Sequence, residues 1–336
     1  MRVRLIGLMA GLAAMLLATG AGVADVTIAT VPVGNVGNLA DSTGYGAVNY
    51  EFNIGTYEVT NAQYAEFLNA VATVGDPHSL YYPYMGGGYP LDTGGISRTG
   101  SGTGGDPWVY STRANRGNHP VTWVSFWNAC RFANWLHNGQ GSGDTETGVY
   151  SLNGVTYPTN STVTRNPGWK WAVTSEDEWY KAAYHMNDPG APGGNYYVYP
   201  TGSDTPPTAE APPGTDMTNG SANYRGPSGF VDPTYYTTEV GAYDAKPSDS
   251  PYGTFDQAGN VWEWNETIVD VSYRSLRGGS YYSSVPSLLV ERADYDPSAG
   301  TRSTGFRVSQ VPEPASMAVL AFGSIAILLR RRGLRR

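Results

Sequence analysis

The stretch Tyr252-Gly253-Thr254-Phe255-Asp256-Gln257-Ala258-Gly259-Asn260-Val261-Trp262-Glu263-Trp264 sets glycine turns directly before an alternating aromatic run. Glycine beside Asn260 permits a tight turn or a close approach of backbone carbonyls to an ion. In an extended segment Trp262 and Trp264 share one face and Glu263 takes the other. Downstream come Leu276-Arg277-Gly278-Gly279-Ser280-Tyr281 and then Gly305-Phe306-Arg307-Val308, which closes the globular part.

Upstream, three helices are legible from caps and periodicity. Thr60 and Gln63 form a capping box, and Tyr64, Phe67, Leu68 and Val71 fall at helical spacing, which predicts a helix over 61–73. Ser125 caps a second helix carrying Phe126, Ala129, Cys130 and Ala133, and Asn138-Gly139 ends it. Ser175-x-x-Glu178 opens a third, short helix with Trp179, Ala182 and Ala183 inward. Val26–Ile28, Tyr50–Gly55 and His119–Val124 read as strands. Residues 75–118 hold three glycine clusters without a phosphate-loop lysine, so they read as a turn-rich surface excursion and a candidate binding surface. Residues 187–250 are rich in Pro, Gly, Tyr and Asn and read as irregular structure pinned by tyrosines.

With 336 residues, 40% hydrophobic and only 15% charged, the chain can bury a large core, and its wealth of Tyr, Trp and Gly suits loops and turns better than a helical bundle. Seven of the 21 basic residues lie at the two ends, while 28 of the 29 acidic residues lie between, against 14 basic ones. An acidic body without a basic patch argues against nucleic acid as a partner and is compatible with calcium or with plain solubility. Cys130 is the only cysteine, so no internal disulfide exists, and its helical apolar setting reads as a small buried hydrophobe. His78, His119, His137 and His185 show no metal-ligand spacing.

Both ends read as addresses. Residues 1–24 combine Arg2 and Arg4, an apolar run and a small-residue finish, a signal peptide to be cut by signal peptidase after Ala24; an uncleaved anchor is the alternative. Residues 311–336 carry Val311-Pro312-Glu313-Pro314, an apolar run to Leu329 and Arg330-Arg331-Arg332. The run spans about 22 Å as a helix, short of a ~30 Å hydrocarbon core but insertable with thinning and snorkelling arginines. This ending resembles the PEP-CTERM sorting signal. That resemblance implies an exosortase-type sorting enzyme as partner, with delivery to the cell surface or extracellular matrix.

The body, 25–310, resembles the formylglycine-generating-enzyme (sulfatase-modifying factor) family. The resemblance rests on Tyr57-Glu58-Val59-Thr60-Asn61-Ala62-Gln63-Tyr64, His119-Pro120-Val121-Thr122-Trp123-Val124-Ser125, Thr174-Ser175-Glu176-Asp177-Glu178-Trp179, the opening stretch, Arg277–Tyr281 and Gly305-Phe306-Arg307. Val173 departs from the family's usual proline. The resemblance implies an α+β, variant C-type-lectin-like fold with few helices, short strands and much irregular structure. It also implies two calcium sites: one from Ala258, Gly259, Val261 and Glu263, the other from Asn223, the Tyr224 carbonyl, Asp232 and the Thr234 carbonyl. Mixed carbonyl and carboxylate oxygens are what calcium takes. The other reading of Glu263 is local pairing without metal.

The family's sulfatase-activating members hold copper between two cysteines, and Ser283 and Leu288 stand at those positions here. Soft thiolates suit copper(I), so copper is not expected. Nor does the extra helical domain that supplies iron ligands in the related sulfoxide synthases precede residue 50. The expectation is therefore an exported, surface-anchored, calcium-stabilised binding or structural module, with an extracellular polysaccharide or peptide as ligand. The alternative is an oxidoreductase, nonheme-metal or formylglycine-generating-like, using groups near Tyr281, Tyr282, Ser283 or Arg292.

Overall fold

A computed structural model describes residues 25–188, 195–244, 247–285 and 292–312. The expected signal peptide, Leu288 and the apolar C-terminal run lie outside them. Capping made the helices readable, and all three form where the caps stand: α1 (Asn61–Val71), α2 (Phe126–His137) and α3 (Glu176–Tyr184). Both capping boxes close reciprocally, and the Ser125 hydroxyl accepts from the Asn128 N–H at 3.2 Å. Helix α1 stops at Val71, with the Ala72 N–H still bonded to the Leu68 carbonyl.

The strands are short and pair across long sequence distances. β1 (Thr30–Val33) pairs antiparallel with β2 (Phe52–Gly55), and β12 (Val308–Gln310) lies between β2 and β5 (Trp171–Val173). The beginning and end of the domain are thereby stitched into one sheet. A second sheet runs β10 (Ala293–Tyr295), β9 (Arg274–Arg277), β8 (Trp262–Ile268), β11 (Thr304–Gly305), with β11 parallel to β8. β3 (Ile96–Thr99) and β4 (Val109–Thr112) form a hairpin, and the two-residue strands β6 (Thr208–Ala209) and β7 (Ser221–Ala222) pair within the expected irregular region.

Two expected strands are absent. At Val26–Ile28 the ladder is replaced by side chains: Gln140 bonds both the N–H and the carbonyl of Val26, and Gln63 donates to the Thr27 carbonyl. The strand forms four residues later, at Thr30–Val33, where β2 offers a partner. His119–Val124 contributes only a bridge between Pro120 and Thr60. Pro120 lacks a donor, and Trp123 takes a left-handed φ of 65°, so the segment cannot stay pleated. The excursion at 75–118 is also partly core, since Met85, Ile96 and Tyr110 are buried.

Helix α2 is the centre of the core. Phe132 packs edge-on to Phe67 and Phe306, and Phe126 edge-on to Trp264. Cys130 is fully buried within it. Offset and edge-on aromatic pairs add about 0.5–1.5 kcal/mol each beyond area burial, which helps hold together a chain whose strands are short.

Candidate binding cleft and buried charge centre

In β8 the alternation read from sequence is present: Trp262 and Trp264 pack toward the main core, and Glu263 points the other way. That other side is buried too. The Glu263 carboxylate accepts from Arg307 Nε at 2.5 Å and Nη2 at 2.7 Å, and from Trp179 Nε1 at 2.8 Å. Arg307 spends its remaining donors on the Gly55, Thr56 and Phe255 carbonyls. Every charge is thus paired and hydrogen-bonded, as burial demands. Beside the pair stand Glu58 and Asp256. Burial, together with the neighbouring carboxylates, pushes the Glu58 carboxyl well above its usual range, and burial pushes Asp256 up to about 6. Glu58 Oε1 accepts from Asn260 Nδ2, and its Oε2 has no partner.

The two expected calcium sets adjoin one another. Gly259 has a φ of 103°, and a Cβ there would collide with the Asn223 carbonyl oxygen, so only glycine allows this approach. The Asn260 N–H bonds that same carbonyl at 2.8 Å. Asn223 donates to the Tyr236 carbonyl, while its Oδ1 is buried without a partner and is suited to a cation. Asp232 Oδ1 accepts from the N–H groups of Thr234 and Tyr235, which orients the turn carrying the Thr234 carbonyl. A carboxylate offers about four lone-pair positions, and three of those on Glu263 are taken by Arg307 and Trp179. Among the described residues no three His, Cys, Asp or Glu side chains converge as a metal group, and each expected set holds a single carboxylate, Glu263 in one and Asp232 in the other.

Ser283, which the resemblance aligns with one of the family's two cysteines, accepts at its Oγ from the Ser280 N–H at 3.0 Å. Tyr281 is fully buried with its hydroxyl unpartnered, whereas Tyr282 is exposed. Arg292 pairs with Asp294 and with the Tyr45 hydroxyl, away from Ser283's own bonds. Burial pushes the Cys130 thiol well above its usual value, which suits packing and not thiolate chemistry.

A cleft of about 530 Å³ opens over the second sheet. Trp262, Leu276 and Tyr295 form its floor, and Tyr89, Trp123 and Arg302 its wall. The wall is a consequence of Trp123's left-handed turn. The Trp123 N–H bonds the Thr301 carbonyl at 2.8 Å, and its ring stacks on Tyr82 with centroids 5.4 Å apart and meets Tyr89 edge-on at 5.1 Å. Sequence reasoning placed Tyr89 in a candidate binding surface but missed Trp123 and Arg302. Nothing local marks them, because they meet only where the 300–304 turn crosses the 119–124 segment.

The model of the sulfatase-modifying factor enzyme 1-like domain matches residues 31–311. The chain belongs to that family. Its helices, short strands and long irregular connections are the α+β, variant C-type-lectin-like organisation expected of a sulfatase-modifying factor domain. The model of the PEP-CTERM protein-sorting motif matches residues 310–332, which marks an exported, membrane-associated protein recognised by an exosortase-type sorting enzyme. Among the described residues no helix is long and apolar enough to cross a membrane. No curated protein matches the chain in sequence. Among solved structures the sulfatase-modifying factor domain is similar to CarF, at 21% identity and TM-score 0.49, covering 85% of this chain and 99% of that one. Treponema denticola variable protein 1 follows at 18% and 0.49, covering 86% and 97%. PvdO from Pseudomonas aeruginosa is similar at 16% and 0.44, covering 85% and 92%.

Proposed function

We propose that this chain is a calcium-stabilised binding module held at the cell surface by its C-terminal segment, with the Trp262–Trp123 cleft as the seat of an extracellular polysaccharide or peptide. One observation carries the reading away from thiol oxidation. The only cysteine lies fully buried in α2 with its thiol pushed up, while Ser283 occupies one of the cysteine positions and Leu288 the other. Copper(I) chemistry needs accessible soft thiolates. The cleft supports binding: it is concave, aromatic and carries the hydroxyls of Thr301 and Ser303 in its lining. The unpartnered Asn223 Oδ1 supports calcium at the Asn223–Tyr224–Asp232–Thr234 set, where the ion would satisfy that oxygen and brace the turn. At the Ala258–Gly259–Val261–Glu263 set, an ion would rest on backbone carbonyls and the one lone pair left on Glu263.

Metal analysis of the purified full-length chain tests this directly. Calcium alone is expected, with a melting temperature that falls on chelation in the parent and falls less in Asn223→Ala. An unchanged melting temperature in the parent would remove calcium from the proposal. Bound copper or iron together with oxygen consumption would replace the binding module with an oxidoreductase.

A further inference from the structure

Tyr282 is 45% exposed, and two arginines approach its ring. The Arg302 guanidinium lies 5.3 Å from its ring centroid and the Arg225 guanidinium 5.7 Å from it. Arg302 also lies 5.8 Å from the Tyr89 ring, and Arg225 lies 5.5 Å from Phe230. Among the described residues neither guanidinium has a carboxylate partner, although the body is strongly acidic and arginines such as Arg113, Arg131, Arg165, Arg277, Arg292 and Arg307 are all paired. Arg302 reaches the cleft wall, and two buried donors stand near it. Trp123 lines the same cleft with its Nε1 buried and unpartnered, and the buried Tyr281 hydroxyl lies beside Arg302. Buried donors in native structures are normally satisfied. Here several donors, two of them cationic, sit at or beside one aromatic cleft.

We infer that the cleft takes an acidic sugar, a uronate residue of a polysaccharide, with its carboxylate on Arg302 and its ring against Trp262 or Tyr295. This rests on the cleft being a ligand site, as proposed above, and adds the chemical class. The guanidinium fork matches a carboxylate bidentately. The Tyr89 and Tyr282 rings beside the guanidinium restrict it, which reduces the entropy lost when a ligand binds. The hydroxyls of Thr301 and Ser303 in the lining suit the many hydroxyls of a sugar better than the apolar side chains of a peptide. Arg225, which also packs against Tyr282 but does not line the cleft, extends the positive strip beyond it toward a second acidic residue of the same chain.

Calorimetric titration of the full-length chain with trigalacturonate, maltotriose and triglutamate tests this. Trigalacturonate is expected to bind most tightly. Its affinity should fall about tenfold or more in Arg302→Met, as for loss of a charged hydrogen bond, and less in Arg302→Lys. It should also weaken at about 1 M NaCl, where charges are screened within about 3 Å. Arg225→Met, at an exposed position, should weaken it several-fold and guards against misfolding of the Arg302 variants. Equal affinity for maltotriose, indifference to both arginine substitutions, or equal affinity for triglutamate would each overturn the acidic-sugar assignment. Maltotriose binding lost in Trp262→Ala but kept in Arg302→Met would leave the cleft standing and remove the acid. No binding of any probe would remove both.

Discussion

Arg307 grips Glu263 with two hydrogen bonds, of 2.5 and 2.7 Å, across 44 residues of sequence in a site closed to water. The pair joins β8 to the turn before β12, so it links the second sheet to the first. It is also where the opening motif finds its partner, since Trp179 of α3 donates to the same carboxylate.

Glu263→Gln or Arg307→Met leaves one buried charge uncompensated, and such losses cost about 3–5 kcal/mol. Urea unfolding should show a midpoint fall of that order in either variant. The double variant should lose less than the sum of the two singles, because the second change removes the charge left stranded by the first. Additive losses would show that the two side chains do not act as a pair.

Asp256 supplies a pH signature. Its carboxyl is pushed up to about 6, chiefly by burial. A raised acid keeps its proton longer in the folded than in the unfolded state. Its contribution to stability is therefore full at low pH and is lost as pH climbs from about 4 toward 6. Asp256→Asn removes that loss and can still accept from the Gly241 N–H. The variant should gain stability relative to the parent between pH 4 and 6, read as diverging melting temperatures. Parallel curves would contradict the raised carboxyl. His119 and His185, both lowered to about 4 by burial, give the opposite slope over the same window, so the comparison must be made against the parent.

Cys130 should resist a thiol reagent in the native state and react with one equivalent in denaturant, because it is fully buried and its thiol is pushed up. Native labelling at the rate of a free thiol would show that α2 opens readily. Cys130→Ser, which buries a hydroxyl there, should cost about 1–3 kcal/mol by unfolding.

Gly259→Ala tests the turn before β8. The added Cβ meets the Asn223 carbonyl at a φ of 103°. Strained positions of this kind cost about 1–3 kcal/mol each, and the clash adds to that. A melting temperature within a degree of the parent would show that the turn relaxes freely. If calcium occupies the adjoining sets, the variant should also respond less to chelation.

How much of this was legible in advance depended on range. Thr60, Ser125 and Ser175 announced their helices because a cap and its N3 partner are three residues apart, and the chemistry is complete within one turn. Val26–Ile28 and His119–Val124 misled because a strand is decided by its partner, and here Gln140, Gln63 and Thr301 supply the bonds that a neighbouring strand would have made. Glu263 was singled out at once, yet nothing in Trp262-Glu263-Trp264 says that Arg307 lies opposite.

The sequence by itself determined the helices and their caps, the family motifs and their order, the sorting signal, and the lack of a cysteine pair. Each of these is a matter of residue identity or of spacing within a turn or two. The tertiary structure alone decided that Glu263 is held by Arg307, that the Asn223 carbonyl lies against Gly259 while its side-chain oxygen is left unpartnered, and that Trp123, Tyr89 and Arg302 share a cleft. Those relationships join segments from tens to more than two hundred residues apart. Their physical cause is the burial of aromatic surface around α2, which brings distant turns together whatever their local preferences.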